Sequence, residues 1–286
     1  MQGFSRIFLN SLGRYSFLYA LLLGLSLVFI APFLWLLSCS LQDAKSIFAI
    51  PFQWIPDPFR LQNYIEAVST LPFHRYLLNT CIIVGCTIVG TLFSSSLAAF
   101  AFSRLRFKGR DTLFLVCIGT MMLPGQVTMI PVYVMFSKLG WVDTFLPLIV
   151  PSFFGAPFII FLLRQFFLTI PYEFDEAALL DGAGRLRTFW HIILPLSKPA
   201  LATAVIFTFM GSWNDFMGPL IYLNSPEKAT LTLGLSLMKN QMLYSGVVEW
   251  HLLMAASVLV LIPNLVLFFV AQKQFVRGIT LTGMRG

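Results

Sequence analysis

Residues 176–195 read EAALLDGAGRLRTFWHIILP, a stretch that opens acidic and is broken by two glycines, between long apolar runs. Just before it, Pro171 suits the first turn of a helix, and Glu173, Asp175 and Glu176 put negative charge where the positive end of a helix dipole favours it. Ala177 and Ala178 leave that helix thin, so another surface can approach its backbone. Gly182 and Gly184 break the run, because glycine turns the chain through positive φ at little cost. Past the break Leu186, Phe189, Trp190 and Ile193 recur at helical spacing, an apolar stripe on a second short helix that Pro195 is expected to stop. The stretch predicts an elbow of two helices outside whatever the apolar runs build.

Those runs are membrane-sized. Of the 286 residues 58% are hydrophobic and 11% charged, and a mean hydropathy of +0.83 lies outside the range of soluble domains. Stretches long enough to cross a bilayer core, about 20 residues each, occur at Phe17–Leu37, Leu77–Phe102, Leu113–Phe136, Phe145–Leu163, Ala200–Tyr222 and Leu252–Ala271. Hydrocarbon offers no partner for backbone N–H and C=O groups, so these runs are expected to be helices. The predicted fold is all-α, a single polytopic domain over residues 1–286 with six transmembrane helices. Pro32, Pro124, Pro131, Pro157, Pro219 and Pro263 are then kinks packed against neighbouring helices. The elbow falls in the connection 164–199, which is long for a helix–helix link.

Charge sets the orientation. Arg6 and Arg14, the run RLRFKGR from Arg104 to Arg110, Arg164 to Lys198, and Lys273, Arg277 and Arg285 carry most of the 19 basic residues. The alternate connections, 42–76, 137–144 and 223–251, hold fewer, and Asp43, Asp57, Glu66, Asp143, Glu227 and Glu249 offset them. Positively charged loops stay in the cytoplasm, so both termini and the elbow are expected inside. The net charge of +7 follows from that bias and requires no nucleic-acid partner. RLRFKGR reads as topology alone, and Lys273 as an anchor at the inner headgroups.

Phe17–Leu37 is longer than the core of a signal peptide and precedes five further spans, so it reads as an uncleaved first helix. Cys39, Cys81, Cys86 and Cys117 sit in or at the ends of apolar runs without metal-ligand spacing and read as small hydrophobes. Glu176 and Asp181 could pair as acid and base, but no nucleophile, histidine cluster or phosphate loop accompanies them, and His74, His191 and His251 are scattered. No G-x(4)-G-K-[ST] loop occurs, so the chain is not read as an enzyme or as the holder of a nucleotide. Asp215 is the one carboxylate inside the spans. Beside Trp213 and Asn214, and near Gly211, Gly218 and Pro219, it either faces a pathway or satisfies backbone freed by a broken helix.

Glu176-Ala177-Ala178, Gly182 and Ile192-x-Leu194-Pro195 reproduce every anchor of E-A-A-x(3)-G-x(9)-I-x-L-P, and so the stretch resembles the EAA loop of permease subunits of bacterial ABC importers. Gln274-Phe275-Val276-Arg277-Gly278, followed by Gly283-Met284-Arg285-Gly286, looks like the C-terminus of the sugar-transporting branch, the maltose-type permeases of the smaller kind. Trp213-Asn214-Asp215-Phe216 with Pro219-Leu220 is similar to that branch's fifth-helix pattern. Two departures are small: the branch more often has Glu at the position of Asp215, and Lys-Gly where this chain ends Arg285-Gly286.

The resemblance implies a type I ABC importer permease (MetI-like) fold in the cytoplasmic (inner) membrane of a bacterium or archaeon. It implies a second homologous permease, two ATP-binding subunits that hold ATP and Mg, and an extracytoplasmic solute-binding protein as partners. Glu176, Ala177, Ala178, Asp181, Gly182 and Ala183 would dock on the ATPase, with Leu186, Phe189 and Trp190 holding the second arm to the bundle. Gly283, Met284, Arg285 and Gly286 would also reach the ATPase, and Trp213, Asn214 and Asp215 would line the substrate pathway or its gate. The cargo implied is a sugar or sugar-like solute, with polyols or glycerol-phosphate derivatives as the alternative. An ion-coupled secondary carrier is the rival class, and it would need more ionisable groups at mid-membrane than Asp215.

Overall fold

The computed structural model describes residues 2–51, 53–246 and 249–283, with side chains over 17–51, 53–244, 246 and 249–272. Every regular element among them is helical. In chain order the principal helices are α1 (Gln2–Ser40), α2 (Gln62–Thr70), α3 (Phe73–Arg104), α4 (Arg110–Gly119), α5 (Gly125–Lys138) and α6 (Pro157–Phe167). There follow α7 (Glu173–Leu180), α8 (Arg185–Leu196), α9 (Lys198–Trp213), α10 (Met217–Tyr222), α11 (Leu231–Ser245) and α12 (Trp250–Gly283). The chain forms two compact units, residues 1–71 with 238–259, and 72–237 with 260–286.

In the first unit α1 turns its apolar side chains outward along nearly all of Phe17–Leu37. Its end is tied by buried amides: Asn63 Nδ2 donates to Ser40 O at 2.9 Å and Gln42 O at 2.8 Å, and Gln42 Nε2 donates to Gln53 O at 2.6 Å. These side chains replace the ladder that the irregular backbone after α1 lacks.

Among the described residues four helical stretches are long and apolar enough to cross a membrane: Phe17–Ser40, Phe73–Arg104, Leu146–Phe167 and Trp250–Gln272. Two further apolar runs, where proline kinks and a broken helix were expected, are interrupted. Residues 113–136 form two arms, Arg110–Met122 and Gly125–Lys138, that meet at 98°. Pro124 has no N–H to continue the helix and holds Leu123 in extended backbone (φ −80°, ψ 116°), so the first arm ends there. Residues 200–222 are likewise not one helix: α9 ends at Trp213, α10 starts at Met217, and α9 meets α8 at 80°. By length and composition the described residues thus offer four spans, or up to six if each bent pair is one span.

The core of the second unit gathers Phe100, Phe114, Ile159, Ile160, Leu163 and Phe167 with Phe189 and Ile193 of α8. Gly90 lets α3 approach the turn Val150–Phe154 closely, since a Cβ there would sit 2.3 Å from Ser152 Oγ. The same face of α3 satisfies the unwound backbone. Ala156 N donates to Ser95 Oγ at 3.0 Å, and Ser94 Oγ donates to Ser152 O at 3.0 Å. An irregular segment at membrane depth is tolerable only with such partners.

Candidate functional site

The elbow is built as two arms. α7 ends in a glycine turn in which Gly182 has φ +76°, Gly182 N donates to Leu179 O at 3.1 Å, and Ala183 N donates to Ala178 O at 2.8 Å. That double closure is the Schellman arrangement, and it explains why glycine stands at this position. Gly184 takes an extended conformation instead. Glu176, Ala177, Asp181 and Gly182 are exposed, Ala183 is half-buried and Ala178 is buried. Between the arms lies a groove of about 190 Å3 lined by Ala178, Asp181, Ala183, Arg187, His191 and Ile192.

α8 departs from the expected straight arm. Residues Phe189–Ile193 form a π turn, in which Leu194 N bonds to Phe189 O five residues back. The arm ends at Leu196, one residue past the proline expected to stop it. Phe189 and Ile193 are fully buried, whereas Leu186 is 66% and Trp190 48% exposed, so only part of the expected stripe packs into the chain's own bundle. Leu186 and Trp190 face away from the chain's own core, Trp190 edge-on to the buried Phe189 ring with centroids 5.1 Å apart.

One cation was not legible as a site residue. Arg104, at the end of α3, has a side chain that is 0% exposed, and it meets Asp175 Oδ2 at 3.0 Å, itself 7% exposed. Its second terminal nitrogen donates to Phe167 O at 2.5 Å and Ile170 O at 2.6 Å, just past α6. The guanidinium lies 4.5 Å from the Tyr172 ring centroid, and Tyr172 Oη donates to Ser103 O at 2.8 Å. The reading of RLRFKGR as topology alone is therefore corrected for Arg104, while Arg106 and Lys108 are exposed.

The break between α9 and α10 contains the three pathway candidates, and they differ. Trp213 is buried and donates Nε1 to Val260 O at 3.1 Å, a staple between α9 and α12. Asp215 Oδ1 accepts Gly218 N at 3.1 Å, capping the restarted helix, and its carbonyl accepts Thr232 Oγ1 at 2.7 Å. Only Asn214 is exposed among the three, and its Oδ1 accepts Asn264 Nδ2 at 2.9 Å. Gly283 is the last residue of α12, and Met284, Arg285 and Gly286 lie outside the described residues.

The connections 139–145 and 223–230 are latched by Asp143. Its carboxylate accepts Asn224 N at 3.0 Å, Ser225 N at 2.9 Å and Ser225 Oγ at 2.5 Å, and pairs with Lys228 Nζ at 2.8 Å. Asn79 reaches the same region, donating to Glu227 O and Ala229 O at 2.9 Å each.

Long apolar helices whose breaks are satisfied by neighbouring side chains, with a thin helix held out on a glycine elbow, define a helical membrane protein. The chain belongs to the family described as binding-protein-dependent transport system inner membrane component, which it matches over residues 90–281. It is 33% identical over 266 residues to the trehalose/maltose transport system permease protein of Thermococcus litoralis, covering 92% of this chain and 94% of that one. It is 34% identical over 266 residues to the sn-glycerol-3-phosphate transport system permease protein of Yersinia pestis, covering 91% and 93%. A chain in a crystal structure of a bacterial ABC transporter that imports the acidic polysaccharide alginate superimposes with a TM-score of 0.80 at 25% identity, covering 91% of this chain and 95% of that one. The chain is thus an ABC importer permease with the MetI-like fold.

Proposed function

We propose that this chain forms half of a pore through which a sugar or sugar-like solute is imported, a second, similar permease supplying the other half. Two ATP-binding subunits hold ATP and Mg, and an extracytoplasmic solute-binding protein delivers the cargo. The observation that carries the reading is the exposed elbow: Glu176, Ala177, Asp181 and Gly182 stand clear of the bundle on a fixed glycine turn, in a chain without a phosphate loop of its own. Closure of the ATPase pair on ATP would push α7 and α8 and switch the pore between inward and outward access, a rigid-body change of a bistable interface. Ala178 and Ala183 set the thinness of the docking arm, exposed Leu186 and Trp190 extend its contact surface, and Phe189 roots it in the core. The tail from Gly283 through Met284 and Arg285 to Gly286 reaches the same ATPase.

The elbow and both termini face the cytoplasm in this reading, as the basic connections favour. Asn214 and its partner Asn264 face the pathway, while Trp213 and Asp215 keep the break in shape. The six apolar runs contain no lysine or arginine, which suits a neutral polyhydroxy solute better than a phosphate ester. The relative named for sn-glycerol-3-phosphate transport supports the phosphate ester as the second reading. In vesicles carrying the full importer, Gly182→Arg and Glu176→Lys should each lower ATP-driven uptake by roughly tenfold or more. Uptake that persists without the ATPase, or that survives both substitutions, overturns the coupling role. The ligand that co-purifies with the binding protein decides between sugar and phosphate ester.

A further inference from the structure

We infer that Arg104 is a positioning residue for transport, the joint that makes the end of α3, the end of α6 and the docking arm α7 move as one piece. The inference rests on the coupling role proposed for the elbow and says which spans receive the push.

The geometry is specific. A guanidinium offers five N–H groups in a rigid planar fork. Here the fork is spread over three partners: the carboxylate of Asp175 in α7, the carbonyl of Phe167 at the end of α6, and the carbonyl of Ile170 in the connection between them. Tyr172, immediately before α7, covers one face of the fork and returns a hydrogen bond to Ser103, one residue from Arg104. Arg164 repeats the tie one turn earlier, with Nε on Phe102 O at 3.3 Å and its guanidinium 4.0 Å from the Phe114 ring centroid. Among the described residues the second arm has no such polar tie. Phe189 and Ile193 of α8 meet the core through apolar packing alone, which can slide.

A displacement of α7 therefore meets stiff, directional bonds on the way to α3 and α6, and a yielding contact on the way through α8. A buried ion pair is in general a weak source of stability, because desolvation offsets much of the attraction. Its directionality is what an apolar replacement of the same volume cannot supply. Lysine would keep the charge but has no planar fork, so it can hold Asp175 or the carbonyls and not the whole set.

The test uses the complete importer in proteoliposomes with its binding protein. Arg104→Gln and Asp175→Asn should leave co-purification of the ATPase within about twofold of wild type, yet lower the solute moved per ATP hydrolysed by at least about fivefold. Asp175→Glu should recover most of that ratio and Arg104→Lys only a part. A double variant, Arg104→Met with Asp175→Leu, guards against misfolding: it should restore yield without restoring the transport ratio. Spin labels at Lys108 and Glu173 give the direct reading. Their separation should stay constant through the ATP cycle in the wild type and become nucleotide-dependent in Arg104→Gln. A separation that changes with ATP in the wild type overturns the inference, and so does a normal transport ratio in Arg104→Gln or in the apolar pair. Failure of the elbow reading looks different, since Glu176→Lys and Gly182→Arg would then transport normally whatever Arg104 does.

Discussion

Asp143 holds φ at 61°, a left-handed conformation that Asp and Asn enter more readily than other non-glycine residues. The Lys228 ammonium, then the Ser225 hydroxyl and the N–H groups of Ser225 and Asn224, hold its carboxyl well below the usual carboxylate range. A carboxyl depressed in the folded state stabilises fully above its unfolded pKa of about 4 and loses that contribution as pH falls through the lower folded value. Asp143→Asn keeps the left-handed backbone and loses the Lys228 pair. It should lower the melting temperature of the detergent-purified protein near neutral pH, and the gap to wild type should shrink as pH falls towards about 3. A gap that stays constant with pH would deny the latch its charge. At this scale the sequence was legible where a residue speaks through its neighbours, as with Gly182. Arg104 was not, because its acidic partner lies 71 residues away. In a basic loop it carries the same letter as the exposed Arg106, and only the packed structure separates the two. Asp215 was open for the opposite reason: either reading fitted a lone acid beside glycine and proline, and the observed cap on Gly218 N came from local geometry.

The span Leu146–Phe167 shows how an element can be interrupted without failing. Between Val150 and Gly155 it tightens into a 3-10 turn and then turns at Gly155, with φ +90°, before α6 resumes at Pro157. Ser95 is fully buried and supplies the acceptor for Ala156 N. Ser95→Ala leaves that N–H without a partner, a loss of about 1–3 kcal/mol in folding stability. Ser94→Ala should cost less, because the Ser152 carbonyl it releases tolerates a missing partner better than an orphaned N–H does. Unfolding midpoints of the two variants in detergent check the order, and equal losses would contradict it. Helix class and the rough ends of these elements were legible from apolar length and proline alone. Bend angles were not. The two arms around Pro124 are both apolar, so a hydropathy window adds them into one span and carries no information about the 98° between them. The π turn before Pro195 is equally silent in the spacing, since the extra residue is absorbed within five positions.

Across the second unit, polar ties gather the connections in two sets. Arg104, Asp175, Tyr172 and Ser103 join the end of α3 to the first turn of α7 and the residue before it, and Arg164 joins α6 to the same end of α3. Asp143, Asn224, Ser225 and Lys228, with Asn79 near the start of α3, join the connections 139–145 and 223–230. The first set contains the basic loop and the elbow, and the second contains the connections that the charge bias leaves outside. Contact geometry and charge thus divide the connections in the same way, although neither depends on the other. A consequence follows for a protein whose Cys39, Cys81, Cys86 and Cys117 have been replaced by serine or alanine. Cysteines introduced at Lys108 and Glu173 should react with a membrane-impermeant maleimide only in inside-out vesicles. Cysteines at Lys138 and Asn224, both exposed, should react only in right-side-out ones. Reaction of all four from one side would overturn the six-span reading, in which α3, the bent α4–α5 pair and Leu146–Phe167 each cross the membrane between these sites. Reversal of both pairs would keep the fold and overturn the cytoplasmic placement of the elbow, which would then face away from any ATP-binding subunit.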